Sequence, residues 1–400
     1  MTASARPPLP RVFLNPGQDR RVARGCPWAF SNEVRMDAEA KAIAPGSLVT
    51  MHRVDGKAYG IGTFNPHALI AFRLLSRDPG RPIDGGFFES RFGRALRLRQ
   101  RMFARPFYRL AHAEADGLAG IVVDRYGDAA VVQANTAGAE ALMPAVLEGL
   151  AGAIGPRLVV LRNDAGARRA ESLVSEVRVA LGHSDGPVAV EEDGGVYYAD
   201  LLGGQKTGWF YDQRRSRAFV ARLAAGARVL DVFCYAGGFA VAALRAGAQD
   251  AVAVDASEAA LALASRAAAA NGVADRASFR RADAYGELER LAAAGERFGI
   301  VVCDPPAFVK SRKDLASGLK GYRKLARLAA ALVEPGGFLF IASCSHNVER
   351  SAFALEVVRG LDAAGRQGRI VREAGAAADH PVHPHLPETA YLKSLVVQLD

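Results

Sequence analysis

The sequence predicts a multidomain protein with a small all-β module, an α+β middle segment and a C-terminal α/β domain on a doubly wound parallel sheet. Three observations predict it. The chain has 400 residues, enough for two or three domains. Short β-like runs separated by Gly and Pro fill the first 75 residues. From about residue 190, apolar strand-like runs alternate with alanine-rich helical stretches, the rhythm of parallel βαβ units.

The elements follow in chain order. RVFL, GSLVTMHRV, AYGIGTF and LIAFRLL are the strands of the first module, with FNPH (64–67) as a turn, and its bounds are set at 1–76. Residues 88–105 have helical spacing, with Phe92, Leu96, Met102 and Phe103 among arginines. AGIVVDRYG, AAVVQAN, RLVVLRN and VAVEEDGGVYYAD are further strands, interrupted by a helix at 138–153, so 77–190 form an α+β middle domain. In 191–400, ARVLDVF (227–233) is a buried strand, AVAALRAG (240–247) a helix and DAVAVDAS (250–257) a strand. A helix at 258–272, a strand at 277–283 and a strand at 297–308 follow, the last stopped by two prolines. A helix at 321–337 and the strand FLFIASCS (338–345) complete the pattern. A doubly wound sheet binds its ligand beyond the carboxyl ends of its strands. Asp231, Asp255, Asp283, Asp304 and Cys344 stand at those ends, so topology brings all five to one edge.

Composition narrows the classes. Half of the chain is hydrophobic and 23% is charged, ordinary for a globular protein. No run of eighteen apolar residues exists, which argues against a membrane span. MTASARPPLPRVFLNPGQDRR lacks the apolar core of a secretory leader. Cys26, Cys234, Cys303 and Cys344 form no CxxC pair, against a zinc knuckle or a disulfide framework, and the expected setting is the reducing cytoplasm. The net charge of +9 is uneven. Residues 1–111 hold 19 Lys+Arg against 8 Asp+Glu, a net +11, and the rest hold 32 against 34, a net −2. RFGRALRLRQRMFARPFYR (91–109) is the densest basic stretch and suits a polyanion, since neutralising phosphates releases counterions.

The strand-end residues point to a ligand. In DVFCYAGGFA (231–240) a strand runs into a turn at Gly237–Gly238 and then a helix, which offers backbone amides to a ligand. Neither GxGxxG nor GxxxxGK[ST] is present, so dinucleotide and triphosphate binding are unsupported. Asp255 suits ribose hydroxyls, and Asp283 an adenine amino group. An adenosyl ligand without phosphates fits, namely S-adenosylmethionine. Its candidate contacts are Asp231, Phe233, Tyr235, Gly237, Gly238, Asp255 and Asp283. DPPAF (304–308) is a rigid, carbonyl-rich loop whose Asp304, Pro305, Pro306 and Phe308 can hold a flat base swung out of its stack. Cys344, in IASCSHN, is then a candidate nucleophile for C6 of a cytosine, with protonated Asp304 as general acid at N3. Alternation along the strand points Cys303 to the opposite face, into the core. Cys234 lies in the cofactor turn and reads as a packing residue. His380, His383 and His385 have a cluster-like spacing, but with intervening prolines and no fourth ligand they read as loop histidines near RNA, and no metal is assigned.

DVFCYAGGFAVAAL, VDASEAAL, VVCDPPAFV, GYRKL and SCS together resemble the RlmI family of 23S rRNA 5-methylcytosine methyltransferases. So do CPWAFSNEV, GLAGIVVDRYG (117–127), QKTGWFYDQRRSR (205–217) and AADHPVHPHLPETAYLKS (377–394), which extends the likeness over nearly the whole chain. The resemblance implies a PUA-like RNA-binding domain, a β-rich intermediate domain and a Rossmann-like methyltransferase domain. It implies that the glycine turn, Asp255 and Asp283 bind S-adenosylmethionine and that Cys344 is the nucleophile. The implied partner is 23S rRNA or a large-subunit assembly particle, and a homodimer is allowed. Two positions depart from the pattern: Ala307 stands where other RNA cytosine-C5 methyltransferases carry a second cysteine, and Cys26 where family members carry histidine. The base that removes the C5 proton is left open among Ser343, Ser345, His346 and water. The rival reading is an exocyclic-amine methyltransferase for guanine or adenine, which uses the DPPAF loop and needs no cysteine.

Overall fold

The computed structural model describes residues 8–400. The leaderless reading of the N-terminal stretch rests partly on residues 1–7, which lie outside the described residues. The chain forms two compact units, one of residues 1–185 with 379–387, the other of residues 186–378 with 388–400.

The first unit holds two five-stranded sheets. Strands β1 (Arg11–Phe13), β2 (Trp28–Phe30), β3 (Ser47–His52), β4 (Ala58–Phe64) and β5 (Ile70–Ser76) lie in the order β1-β3-β4-β5-β2. Strands β6 (Phe107–His112), β7 (Ile121–Tyr126), β8 (Ala129–Ala134), β9 (Leu158–Asn163) and β10 (Glu176–Leu181) lie in the order β10-β9-β8-β7-β6. Helices Gly85–Gln100 and Met143–Ile154 cover the second sheet, burying Phe88, Phe92, Val146 and Leu150. Ile61 and Leu75 of the first sheet join that same core, and Asn65 donates to Glu171 at 2.7 Å. This shared core makes one unit of the two modules. Strands β2, β6 and β10 have no counterpart in the sequence reading, because each is short or carries too many polar residues for an apolar run.

The basic stretch 91–109 serves two purposes. Arg99 is fully buried on Asp116, at 2.6 and 2.8 Å, and on the Asp379 carbonyl. Arg109 pairs with Asp124, and Arg91 donates to the Leu75 carbonyl. Only Arg94, Arg97, Arg101 and Arg105 are exposed, so the polyanion face is smaller than the sequence count suggests.

The second unit opens with the hairpin β11 (Val188–Glu192) and β12 (Gly195–Ala199). Its main sheet contains β13 (Arg228–Val232), β14 (Asp250–Asp255), β15 (Ala277–Arg281), β16 (Phe298–Cys303), β17 (Val333–Ser343), β18 (Gly368–Ala374) and β19 (Lys393–Leu399). Their order is β15-β14-β13-β16-β17-β19-β18. The first five run parallel, and β19 pairs antiparallel with both β17 and β18. The sheet is therefore mixed, not wholly parallel as the alternation predicts, since its last two strands lack a helix between them. Helices Gly238–Arg245, Glu258–Ala270, Ala284–Ala293, Leu315–Ala330 and Arg350–Ala363 are the crossovers. The helix predicted at 321–337 stops at Ala330. Val333 already pairs with Phe298, and a register shift before the Ile300–Phe338 pair takes up Pro335, Gly336 and Gly337. Winding reverses between β13 and β16, which opens the ligand crevice at their carboxyl ends.

Beneath that crevice lies a buried charge cluster. Glu192, on β11, accepts from Arg217 at 2.6 and 2.8 Å, from Arg214 at 3.2 Å and from Trp209 at 3.3 Å. The Arg217 guanidinium also stacks over Trp209 at 4.7 Å. Burial alone would push the Glu192 carboxyl up, but the two arginines hold it below its ordinary range. Removing the anion strands two cations in a low dielectric. Glu192→Gln is expected to cost about 3–5 kcal/mol, read as a lower urea midpoint at unchanged slope.

Candidate active site

The turn after β13 is the first part of the site. Phe233, Tyr235 and Gly237 are all left-handed, with φ of 64°, 49° and 74°. Each non-glycine residue held there costs about 1–3 kcal/mol, so the surroundings must enforce it. They do so through hydrogen bonds. Cys234 N–H donates to the Val254 carbonyl at 3.0 Å, and Tyr235 N–H to the Asp255 carboxylate at 2.9 Å. The Tyr235 hydroxyl donates to the Gly208 carbonyl at 3.0 Å and accepts from Gln205 N–H at 3.2 Å. Ala240 N–H, in the first turn of the helix, donates to Asp231 at 3.0 Å.

The cofactor candidates thus divide. Asp231 has no exposed surface, so it acts on the turn rather than at its rim. Burial, offset by the Ala240 N–H and reinforced by Asp304 and Asp255, pushes its carboxyl up to about 7. Asp255 is half-buried at the end of β14 and also accepts from Ser257 N–H at 2.9 Å. Asp283 is exposed beyond β15 and caps the next helix through Gly286 N–H at 2.9 Å. Gly238 lies over Arg217 and Trp209, where a Cβ would stand 3.0 and 3.3 Å from their side chains. This donor set suits an adenosyl ligand. Carboxylates at the end of β14 and beyond β15 repel a phosphate and accept from hydroxyl and amino groups, and they favour a cation nearby.

The second part is the meeting of two loops. Asp304 and Cys344, predicted on adjacent strand ends, do come together: the Cys344 sulfur lies 4.0 Å from the Pro305 carbonyl oxygen. Gln213 donates to Asp304 at 2.8 Å. Burial and the nearby Asp212 charge push the Asp304 carboxyl up to about 7, against the pull of Gln213, Lys206 and Arg217. Burial also raises the Cys344 thiol, while Lys206 pulls it down. Pro305 is buried and Pro306 exposed. Phe308 packs its ring 4.7 Å from Tyr322. The Tyr322 hydroxyl bonds both serines that flank Cys344, Ser343 at 2.8 Å and Ser345 at 2.9 Å, and Ser345 accepts from Val309 N–H at 3.1 Å. One buried phenol thus fixes the Cys344 loop and the DPPAF loop together.

Cys26, Cys234 and Cys303 are buried, and Cys303 belongs to the main core as alternation predicts. His380 is buried against Asp379 at 2.9 Å rather than lying on a loop surface. Among the described residues no group of His, Cys, Asp or Glu side chains could hold a metal ion, and no helix is long and apolar enough to cross a membrane. Sequence reasoning missed Lys206, Asp212, Gln213, Tyr322 and Tyr391. For Lys206, Asp212 and Gln213 the signal was the run QKTGWFYDQRRSR (205–217), too rich in polar residues for the strand-and-helix rhythm around it.

Comparison with known proteins agrees with this geometry. Residues 174–396 match the model of an S-adenosylmethionine-dependent methyltransferase family, and residues 12–77 that of a PUA-like domain. Ribosomal RNA large subunit methyltransferase I of Aeromonas hydrophila is 35% identical over 393 residues, 97% of this chain and 98% of the relative. The protein of that name from Shewanella denitrificans is 34% identical over 394 residues, 97% and 99% of the two chains. Two solved structures share the fold at 19% identity. A protein described as a SAM-dependent methyltransferase from Streptococcus mutans has a TM-score of 0.81, covering 98% of this chain and all of its own. A methyltransferase complexed with SAH has a TM-score of 0.83 with the same coverage.

The turn yields a direct test. A Cβ on Gly237 would lie 2.8 Å from the Ala264 Cβ, on a backbone that alanine adopts poorly. Gly237→Ala is expected to lower stability by about 1–3 kcal/mol and to weaken S-adenosylmethionine binding, read by urea unfolding and titration calorimetry.

Proposed function

We propose, from the premise that the chain belongs to the family of ribosomal RNA large subunit methyltransferase I, that it methylates C5 of a cytosine in 23S rRNA through a covalent cysteine adduct. Membership makes it an S-adenosylmethionine-dependent enzyme of ribosomal RNA. The cytosine and the adduct are our reading. One observation carries it: a partly buried thiol and a carboxyl pushed up to about 7 stand on two loops pinned to each other.

The chemistry follows from what each group can do. Cytosine C5 is a poor nucleophile until something adds at C6. The Cys344 thiolate adds there, and Asp304, still protonated near neutral pH, gives its proton to N3. C5 then has enamine character. Bound S-adenosylmethionine supplies an electrophilic methyl group on a sulfonium. Asp255, Asp283 and the turn Phe233–Gly238 would hold it, with Asp231 supporting that turn from below. Pro305, Pro306 and Phe308 would frame the flipped base. In this reading residues 1–76 dock the RNA, residues 77–190 form an intermediate domain and residues 191–400 carry out the chemistry, in the cytoplasm.

The decisive experiment follows transfer of labelled methyl groups to 23S rRNA, supplied naked and as a large-subunit assembly particle. Wild type is expected to make 5-methylcytosine, identified by nucleoside mass, and Cys344→Ala to make none. An active Cys344→Ala variant, or an N-methylated purine as product, would establish the amine route instead.

The pH dependence is also fixed. The working form needs Asp304 protonated and Cys344 ionised, the reverse of the order in which they titrate. Below about 7 Asp304 keeps its proton and the thiolate fraction grows with pH, so kcat/KM rises. Above that point loss of the Asp304 proton cancels further gain, and the profile stays level until the thiol's own higher value is passed. In Asp304→Asn the break near 7 should vanish, the rise should continue toward the thiol, and the rate below 7 should fall roughly a hundredfold or more.

A further inference from the structure

The C5 proton still needs a destination, and most groups around Cys344 are occupied. Ser343 and Ser345 are buried hydroxyls committed to Tyr322. Lys393 donates its ammonium to the Ser345 and Val348 carbonyls at 2.6 and 2.7 Å, so it offers no lone pair. Cys303 is in the core. Asp304 is committed to the N3 proton, which it gives in the addition step and takes back on elimination.

Asp212 is different. It neighbours Gln213, the residue that holds Asp304. Its carboxylate accepts a 2.5 Å hydrogen bond from the Tyr391 hydroxyl. The Tyr391 ring lies 5.2 Å from that of His346, two residues beyond Cys344. Its backbone is anchored as well, since its carbonyl accepts from Ala377 N–H at 2.9 Å. Asp212 is therefore linked through its neighbour Gln213 to Asp304 and through Tyr391 to the segment that carries Cys344. Its charge reaches both, adding to burial in raising the Asp304 carboxyl and, behind burial, Lys206 and Asp304, acting on the Cys344 thiol. When two carboxyls share a site, the environment divides the roles: one keeps its proton and the other its charge. Tyr391, by donating to Asp212, fixes the orientation of its carboxyl.

We propose that Asp212, held by Tyr391, is the base that takes the C5 proton and so frees the enzyme from its methylated product. This rests on the cytosine-C5 reading. The step balances. The C5–H bond breaks and its proton goes to the Asp212 carboxylate. The electron pair of that bond forms the C5–C6 double bond, the C6–S bond breaks, and Cys344 leaves as thiolate. The N3 proton returns to Asp304, and the proton on Asp212 passes to water by way of the partly exposed Tyr391 hydroxyl.

The test uses the full-length protein with labelled S-adenosylmethionine and 23S rRNA. Asp212→Asn keeps the shape and removes the base. It is expected to transfer the methyl group once and then stall, so that a labelled protein–RNA adduct stable to denaturing gels accumulates while turnover falls roughly a hundredfold or more. Adding Cys344→Ala should abolish the adduct. Tyr391→Phe, which leaves Asp212 in place, should slow turnover and accumulate the same adduct to a lesser extent. Wild-type turnover in Asp212→Asn would overturn the proposal, as would slow turnover without adduct in a variant that still binds S-adenosylmethionine. If Asp212→Asn does not fold, Tyr391→Phe decides: adduct accumulation supports the proposal, and its absence overturns it. If wild type itself makes no 5-methylcytosine, the failure lies with the cytosine-C5 reading instead.

Discussion

Crowded negative charge governs the carboxyl edge of the main sheet. Asp231, Asp255, Asp304 and Asp212 converge there, and a low dielectric does not tolerate that many uncompensated anions. The structure resolves the conflict by protonation and by fixed donors. Asp231 and Asp304 are pushed up to about 7, so near neutrality each is neutral much of the time. Asp255 accepts from the Tyr235 and Ser257 amides, and one Asp212 oxygen accepts from the Tyr391 hydroxyl. The cations whose charge reaches the edge are Arg217 and Lys206. Arg217 is itself fixed by Glu192, so the buried cluster on β11 is electrically continuous with the site. A site that needs a neutral carboxyl obtains it from the same crowding.

The strained turn belongs to the same account. Two non-glycine residues in left-handed backbone would relax if nothing held them. Asp231 holds the helix side of the turn and Asp255 the strand side. The Tyr235 hydroxyl ties its crest to the 205–208 segment, which carries Lys206 and leads into Asp212 and Gln213. The turn after β13 and the segment whose charges act on Asp304 and Cys344 are therefore joined through one hydroxyl.

The parallel half of the main sheet was legible in the sequence because its central strands are apolar runs that alternate with alanine-rich helices, the edge strand ASFRR being read from that rhythm. β18 and β19 were not, because an antiparallel pair at the end of an α/β sheet needs no helix between its strands, and GRIVREA is largely exposed. The helix end at Ala330 was hidden by alanine and leucine, which suit a buried helix and a buried strand alike. Of the site, the strand-end residues could be read by topology alone. Lys206, Asp212, Gln213 and Tyr391 could not, since they sit in segments without periodicity and reach the site only through tertiary packing. The arginines at 91–109 show the converse error. Linear charge density counts Arg99 as surface, although its guanidinium makes four hydrogen bonds to Asp116 and to backbone carbonyls inside the fold.

In the proposed reading Cys344 is a nucleophile whose thiol is raised by burial, which looks poorly chosen. The alternative is worse at this edge. Lowering the thiol would require more positive charge or more solvent near Cys344, and either would also lower Asp304, which lies one residue from the Pro305 carbonyl against Cys344. The acid would then be ionised when it is needed. Nucleophilicity also rises with thiol basicity, so each thiolate that forms in the buried site reacts faster than one from an acidic thiol. Lys206 shows the coupling directly, since its charge pulls down both the Cys344 thiol and the Asp304 carboxyl, and burial outweighs it at each. The low thiolate fraction and the protonated carboxyl are thus two results of one burial, and the cysteine could be made more acidic only by disarming its partner.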